Sequence, residues 1–366
     1  MANQPIDEFD FAGKAKEEFE KARRDLKKPN ILICGGTGAG KSTLINMTLD
    51  DDAVHAQVDA GRPVTQDIAK FRGELVTVYD SPGYESGAES QQKYKDVVLK
   101  LVFDNKDSVE NRIHMAWYCI SQGNDRILDI DIQTINDIIK AKVPVAVVLT
   151  QADKGTEGGA KVLTDLLGKE CPGVEVFETS TEADLSLSVE PLLAWTAQHL
   201  DESVRIAFLS AAKGAIEQKL AAGRTIVLQH IAAAGTIAAS PIPFSDAPLL
   251  LANQTALVAR LASLWDLSSV KSAISSAIPG QVVSTLGRSL AGNLIKLIPG
   301  GGSIAGAAIN ATVATTMTAG IGYGINELFA NMKRDELSGK SSDMSTYLSQ
   351  LPALIDLFKQ RHGTEK

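Results

Sequence analysis

The chain contains, close to its N-terminal end, the stretch Ile31-Leu32-Ile33-Cys34-Gly35-Gly36-Thr37-Gly38-Ala39-Gly40-Lys41-Ser42. Four strand-forming residues lead into a loop with the spacing G-x-x-x-x-G-K-S, and apolar residues at helical spacing follow it. Glycines let a backbone curl closely around phosphate oxygens, and the N–H groups at a helix N-terminus attract the anion. The stretch therefore predicts a strand, a phosphate-binding loop and a helix that together bind a nucleoside triphosphate.

Each part of this loop has a predicted contact with the nucleotide. The Lys41 ammonium is expected to reach the β- and γ-phosphates, and the Ser42 hydroxyl is expected to ligate Mg²⁺. Because the N–H groups of the loop face the phosphates, we predict that nine residues bind nucleotide: Gly35, Gly36, Thr37, Gly38, Ala39, Gly40, Lys41, Ser42 and Thr43.

Apolar strands alternate with helical segments from residue 30 to about residue 203. Strands are predicted at 30–34, 67–72, 75–79, 112–120, 144–149 and 174–178, and helices near 41–49, 89–103, 129–141, 159–169 and 188–203. This alternation indicates an α/β domain whose mainly parallel sheet is covered by helices on both faces. In such a sheet, ligands bind at the carboxyl ends of the strands.

Two further segments place polar residues at that edge of the sheet. Asp80-Ser81-Pro82-Gly83 ends a strand; Asp80 is expected to hold Mg²⁺ through a water, and Gly83 to offer its N–H to the γ-phosphate. Thr65 is the single hydroxyl side chain between residues 49 and 76, and we predict that it closes onto Mg²⁺. The predicted catalytic groups are Lys41, Thr65 and Gly83, and the predicted metal ligands are Ser42, Thr65 and Asp80.

A third strand end predicts which base is bound. Thr150-Gln151-Ala152-Asp153 follows an apolar strand, and a carboxylate at Asp153 can accept from the N1–H and 2-amino groups of guanine. Adenine offers no such pair of donors. The loop after the last strand is predicted to offer N–H groups to guanine O6. The predicted ligands are therefore GTP or GDP with Mg²⁺, and the nucleotide-binding set also includes Thr150, Gln151, Asp153, Thr179 and Ser180.

In this order the motifs resemble those of the Era-like and septin-like branch of the translation-factor-class P-loop GTPases. The resemblance covers roughly residues 30–200 and implies a Ras-like domain that binds and hydrolyses GTP. Two residues depart from the family pattern. Gln151 replaces a Lys whose stem covers the base, and Tyr84 stands where Ras-like enzymes carry a water-orienting Gln. Slow intrinsic hydrolysis is therefore expected.

Arg126, just past the strand at 112–120, has two interpretations. It either stabilises charge on the transferring phosphoryl group, for example across a dimer, or forms an ion pair with Asp125, Asp129 or Asp131. Exposed arginines beside acidic residues commonly form such pairs.

The chain after residue 203 is helical in pattern and rich in Ala, Ile, Leu and Gly. Its segment 241–246 and its Gly/Ala-rich stretch before residue 326 resemble an uncharacterised helical domain that accompanies bacterial GTPases, some of them associated with membranes. Two uncharged runs, Thr225–Ser245 and Leu297–Asn326, are long enough to span a bilayer but contain polar residues. They leave open a soluble packed bundle and a reversible or peripheral membrane attachment.

The composition limits the expected partners. The net charge of -8 over 366 residues lacks the basic excess that phosphate neutralisation requires, so no nucleic acid partner is expected. The charged first 28 residues have no secretory pattern, and Cys34, Cys119 and Cys171 fit no disulfide framework. We therefore expect a cytoplasmic protein, peripheral at the membrane if its helical part binds lipid.

We predict four segments: an N-terminal amphipathic helix at 1–29, a GTP-binding domain at 30–203, an all-helical domain at 204–336 and a C-terminal amphipathic helix at 337–366. Three functions remain open. They are a slow GTPase switch coupled to the helical domain, a membrane-acting GTPase of dynamin-like or immunity-related layout activated by self-assembly as a homodimer or larger assembly, and a nucleotide-stabilised scaffold with negligible hydrolysis.

Overall fold

The computed structural model describes residues 11–50, 68–85, 87–104, 106–108, 110–182, 185, 187–238, 246–267, 311–340, 346–347, 349–350 and 353. Contacts divide the chain into two units. Leu26–Ala215 form one of them, which we call the sheet unit. The other combines Met1–Asp25 with Ile216–Lys366, and we call it the helical unit.

Six strands form the sheet unit's core: β1 (Asn30–Gly35), β2 (Ala69–Arg72), β3 (Thr77–Asp80), β4 (Met115–Ser121), β5 (Val145–Thr150) and β6 (Glu175–Glu178). Their order in the sheet is β2-β3-β1-β4-β5-β6. The edge strand β2 runs antiparallel to β3, and the other neighbouring pairs are parallel. The strands β1, β4 and β5 are buried along their whole length, as expected when helices cover both faces. The predicted mainly parallel α/β fold is confirmed.

The described helices are α1 (Phe11–Arg24), α2 (Lys41–Thr48), α3 (Ala88–Asp104), α4 (Asp129–Lys140), α5 (Gly159–Glu170), α6 (Glu190–His199), α7 (Glu202–Ala211), α8 (Ile216–Ala238), α9 (Asp246–Trp265) and α10 (Ala311–Leu337). Helices α2 to α7 belong to the sheet unit. Apolar residues of α3, α4 and α5 share one buried core with the strands, including Val98, Ile135, Leu167, Leu32, Tyr118 and Val147.

The sheet unit ends later than the sequence predicts. Its boundary follows Ala215 rather than residue 203, because α7 is attached to earlier parts of this unit. Phe208 packs edge-on against the buried Trp117 ring at 6.5 Å. The Asp50 N–H donates to the Ala211 carbonyl at 2.7 Å. Trp117 and Asp50 lie much earlier in the sequence than α7, so a local sequence pattern does not predict these contacts.

The helical unit contains α1, α8, α9 and α10, with α1 packed on α9 and α8 packed on both α9 and α10. The N-terminal helix was predicted as a segment of its own, but it groups with the later helices. A buried ion pair joins Arg23 to Asp266, at the C-terminal ends of α1 and α9. This pair explains the grouping, since removing either partner would leave a buried charge.

A buried polar network also joins α8, α9 and α10. The Asn326 side-chain amide donates to the Leu220 carbonyl at 3.0 Å and accepts from the Trp265 indole N–H at 2.9 Å. Gly223 lies so close that a Cβ atom there would be 2.0 Å from Asn326 Oδ1. The Gly and Ala content of these helices therefore serves close packing between them.

None of the helices that the structure describes is long and apolar enough to cross a membrane. Much of the uncharged run 297–326 lies outside the described residues. The predicted C-terminal amphipathic helix at 337–366 also lies largely outside them, since α10 ends at Leu337 and only scattered residues are described beyond residue 340.

Candidate nucleotide-binding site

The glycine-rich loop connects β1 to α2, as predicted. Gly40 caps α2 with a positive φ of 76°, a conformation that costs glycine least. Gly35 has a φ of 133°, and a Cβ atom there would lie 2.2 Å from the Cys119 carbonyl oxygen. The Lys41 ammonium folds over the loop and donates to the carbonyls of Gly35 (3.1 Å) and Gly36 (3.0 Å). The loop thus brings together the N-terminus of α2 and the Lys41 ammonium group, the two features that are predicted to bind phosphate.

Residues at the end of β5 hold this loop in place. The Thr150 hydroxyl donates to the Ala39 carbonyl at 2.8 Å. The Gln151 amide donates to the Gly38 carbonyl at 3.2 Å, and its oxygen accepts from the Ser121 hydroxyl at 2.6 Å. Gln151 has a φ of 54°. Thr150 and Gln151 therefore both contact the phosphate loop, and Gln151 does so through a neutral amide.

A cavity of about 300 Å³ lies beside the same loop. It is lined by residues from three predicted motifs, including Gly40, Thr43, Thr150, Gln151, Asp153, Thr179 and Ser180. The Asp153 carboxylate accepts from the Ser180 hydroxyl at 2.6 Å. That hydrogen bond lowers the pKa of Asp153, so the carboxylate is ionised at neutral pH. The Thr179 N–H donates to the Leu149 carbonyl at 2.9 Å. The backbone N–H of Thr179 is therefore bonded within the sheet unit, and the predicted contact of Thr179 with a base stays a prediction.

At the end of β3, the carboxylate of Asp80 has one unsatisfied oxygen. Asp80 Oδ1 is buried and has no hydrogen-bond partner in the part of the chain that the structure describes. Burial raises the pKa of Asp80 to about 6, and the nearby Lys41 charge opposes this rise. A buried carboxylate oxygen without a donor is well suited to a hard cation or to water in its shell. Together with the Ser42 hydroxyl, these oxygens fit Mg²⁺.

Comparison with known proteins agrees with this geometry. Residues 30–151 match the family model described as 50S ribosome-binding GTPase. The sheet unit has the fold of a P-loop GTPase domain, and we call it the GTPase domain. Its fold is Ras-like, with the phosphate loop after β1 and the other motifs at the ends of β3 and β5.

Similar curated proteins match part of the chain. Septin-8-A of Danio rerio is 27% identical over 179 residues, which are 42% of this chain and 42% of that septin. Translation initiation factor IF-2 of Bartonella henselae is 26% identical over 237 residues, 60% of this chain and 25% of that factor. The chain thus spans less than half the length of these relatives.

Among solved structures, Era of Aquifex aeolicus bound to GDP.AlF4- is 22% identical, with a TM-score of 0.35 over 48% of this chain and 58% of Era. Era has also been solved with MgGDPNP and a segment of 16S ribosomal RNA. That RNA contact belongs to Era. For this chain, the expectation of no nucleic acid partner stays a prediction.

The loop after β3 of the GTPase domain lies against the phosphate loop. A Cβ atom at Gly83 would lie 2.5 Å from both Cα and Oγ1 of Thr37. The Thr37 N–H donates to the Tyr84 carbonyl at 3.1 Å. Gly83 is therefore placed beside the phosphate loop, as the sequence predicts for a group that contacts the terminal phosphate.

Two other predicted residues have different outcomes. Thr65 lies outside the described residues, so its part as a magnesium ligand stays a prediction. Arg126 is exposed and lines a second cavity of about 330 Å³, which also contacts Thr37 and Tyr84. Within the described parts of the chain Arg126 forms no ion pair. Asp131, one predicted partner, accepts from tyrosine hydroxyls instead.

Three hydrogen bonds of this region were not predicted from the sequence. Asp131 accepts hydrogen bonds from the hydroxyls of Tyr84 (2.5 Å) and Tyr118 (2.9 Å). The Tyr94 hydroxyl accepts from the Gly35 N–H at 3.0 Å. No motif predicts these hydrogen bonds. Tyrosines within otherwise apolar strand and helix patterns do indicate buried hydrogen bonds, since a buried hydroxyl needs a partner.

Proposed function

We propose that the GTPase domain binds GTP and GDP with Mg²⁺ and hydrolyses GTP slowly, as a switch coupled to the helical unit. The observation that carries this proposal is a single cavity lined both by Gly40 and Thr43 of the phosphate loop and by the Asp153–Ser180 pair. A phosphate site and an ionised carboxylate thus border the same volume. Of the two purines, only guanine has a pair of donors for that carboxylate.

The residues have distinct proposed parts in hydrolysis. Lys41 exchanges its two carbonyl partners for the β- and γ-phosphate oxygens and neutralises charge there. Ser42, Asp80 and Thr65 hold Mg²⁺, which when bound withdraws charge from the phosphates. Gly83 donates its N–H to the terminal phosphate, and Asp153 selects guanine.

The proposed rate is low because Tyr84, and not a water-orienting Gln, follows Gly83 in the chain. Tyr84 occupies that position in the chain, but its hydroxyl is donated to Asp131 at 2.5 Å. The same observation favours a second candidate, a scaffold that nucleotide stabilises and that hydrolyses GTP negligibly. Self-assembly and membrane contact stay predictions.

Two measurements test the proposal. Calorimetric titration with GTP, GDP and ATP in Mg²⁺ should give at least tenfold tighter binding of both guanine nucleotides than of ATP. Equal affinity for ATP would remove the guanine assignment. GTP turnover should then be followed against protein concentration, with and without anionic vesicles. A slow rate that depends on neither protein concentration nor vesicles supports the switch. A rate at background supports the scaffold. A rate that rises with protein concentration or with vesicles supports the membrane-acting alternative.

A further inference from the structure

Tyr84, the residue after Gly83, is held in place through both its backbone and its side chain. The Tyr84 carbonyl accepts from the Thr37 N–H at 3.1 Å, which ties it to the phosphate loop. The Tyr84 hydroxyl donates to Asp131 Oδ1 at 2.5 Å, which ties it to the first turn of α4. The short loop from Asp80 to Tyr84 is therefore fixed at its end by two separate elements.

Asp131 is a rigid anchor for this hydroxyl. It is 2% exposed, and its second oxygen accepts from the Leu128 N–H at 2.9 Å. The Tyr118 hydroxyl on β4 donates to the same oxygen as Tyr84 does, at 2.9 Å. A buried carboxylate with three donors from different elements has little freedom to turn, and hydrogen bonds to a charged acceptor are among the strong ones.

The Tyr84 ring is also packed against the start of the phosphate loop. It meets the Tyr94 ring edge-on with centroids 5.1 Å apart, and the Tyr94 hydroxyl accepts from the Gly35 N–H at 3.0 Å. A Cβ atom at Gly36 would lie 3.3 Å from the Tyr84 ring. The position of Tyr84 thus determines how closely Gly83 approaches Thr37.

We propose that Asp131, acting through the Tyr84 hydroxyl, is a positioning residue that keeps Gly83 closed on the phosphate loop, ready for the terminal phosphate of a nucleoside triphosphate. The inference rests on the proposed function and deepens it. A loop held in its binding position loses little freedom when the triphosphate binds. A diphosphate has no γ-phosphate for Gly83 to contact, so its affinity does not depend on the anchor.

The test compares a non-hydrolysable GTP analogue with GDP, each titrated into the full chain with Mg²⁺. Tyr84→Phe removes only the hydroxyl and keeps the ring on Tyr94. We expect it to weaken the analogue roughly ten- to hundredfold, the effect of one hydrogen bond to a charged group, and to change GDP affinity less than about twofold. Asp131→Asn keeps one oxygen acceptor and the size of the side chain, and we expect a smaller change in the same direction.

Tyr118→Phe is the matched control, since it removes one hydroxyl from the same Asp131 oxygen but leaves the Tyr84 hydroxyl and the Leu128 N–H bonded to this carboxylate. It should leave the ratio of the two dissociation constants at the wild-type value. If Tyr84→Phe keeps the wild-type ratio, or weakens both nucleotides equally, the anchor has no positioning part and this inference is overturned alone. If the wild type binds neither nucleotide, the proposed function itself fails.

Discussion

The Ser180 hydroxyl donates to the Asp153 carboxylate at 2.6 Å, and the Glu182 N–H donates to the Ser180 oxygen at 3.1 Å. This chain of hydrogen bonds fixes the direction of the carboxylate at the mouth of the cavity. One oxygen is held by Ser180, and the group stays ionised because that bond lowers the pKa of Asp153. The pair accordingly orients the acceptor that the guanine assignment requires.

Replacing the carboxylate should change which base is preferred. Asp153→Asn offers one acceptor and an NH₂ donor, which suits the 2-carbonyl of xanthine better than the 2-amino group of guanine. We expect GTP affinity to fall by roughly 10²-fold or more, the cost of two bonds to a charged acceptor, and XTP affinity to rise. Titration with both nucleotides checks this. Ser180→Ala should weaken GTP less, and unchanged GTP affinity in Asp153→Asn would contradict the assignment.

A side chain at Gly83 should move the loop from Asp80 to Tyr84 away from the phosphate loop. In Gly83→Ala the Cβ atom would meet Thr37 at 2.5 Å, so we expect a loss of roughly 1–3 kcal/mol in stability and weaker triphosphate binding. Urea unfolding and nucleotide titration measure these effects. Gly168→Ala is the matched control: its Cβ meets nothing within 4 Å on α5, and it should stabilise by up to about 1 kcal/mol. A Gly83→Ala protein as stable as the wild type would refute the contact.

Asp80→Asn should raise the stability of the metal-free protein but weaken its magnesium binding. It removes a charge whose buried oxygen has no partner among the described residues, so without metal we expect a gain of about 1–3 kcal/mol. The Mg²⁺ concentration needed for half-maximal GTP binding should rise at least tenfold, because an amide is a weaker ligand. The exposed Asp165→Asn on α5 is the control and should change neither quantity. Loss of stability in Asp80→Asn would argue against this placement of the carboxylate.

The helical unit should lose stability in mild acid through His230. Its ring contacts Asn253 Oδ1 at 2.8 Å and the Arg260 guanidinium at 3.3 Å, both on α9, with Glu18 of α1 nearby. Burial lowers the pKa of His230 below its ordinary value of 6.5, opposed by the Asn253 hydrogen bond. The neutral ring therefore contributes stability that is fully present above pH 6.5 and is lost as the pH falls through the folded-state pKa.

His230→Gln cannot titrate, so its unfolding free energy should depend less on pH between 7 and 5 than that of the wild type. Denaturant unfolding at several pH values, followed by fluorescence, checks this. His199→Gln, at an exposed position on α6 of the GTPase domain, is the control. Equal pH dependence in His230→Gln and the wild type would show that His230 does not titrate on unfolding.

The sequence was sufficient for the strands and for the motif residues because both are encoded locally. The apolar runs of β1, β4 and β5 are continuous, so their predicted bounds agree with the structure to within a few residues. Lys41, Asp80 and Asp153 each follow a strand at a fixed spacing, and parallel pairing then brings the strand ends to one edge.

Contacts between distant segments were not accessible in the same way. α7 has the same helical pattern as the helices after it, and its contacts with Trp117 and Asp50 assign it to the GTPase domain. Asp131 was considered as a partner for Arg126, yet burial brings it to the hydroxyls of Tyr84 and Tyr118. These residues lie in the loop after β3, in β4 and in α4, three segments that only the folded domain brings together.

The pairing of α1 with α9 has a consequence for how the protein folds during synthesis. The GTPase domain is an insertion within the helical unit, since Met1–Asp25 precede it and Ile216–Lys366 follow it. On the ribosome, α1 emerges before its helical partners and meets them only after the whole inserted domain has been made. The entropy of closing a loop grows only with the logarithm of its length, so even a long insert adds little to this cost. The packing of α1 on α9 therefore follows the synthesis of the whole inserted domain.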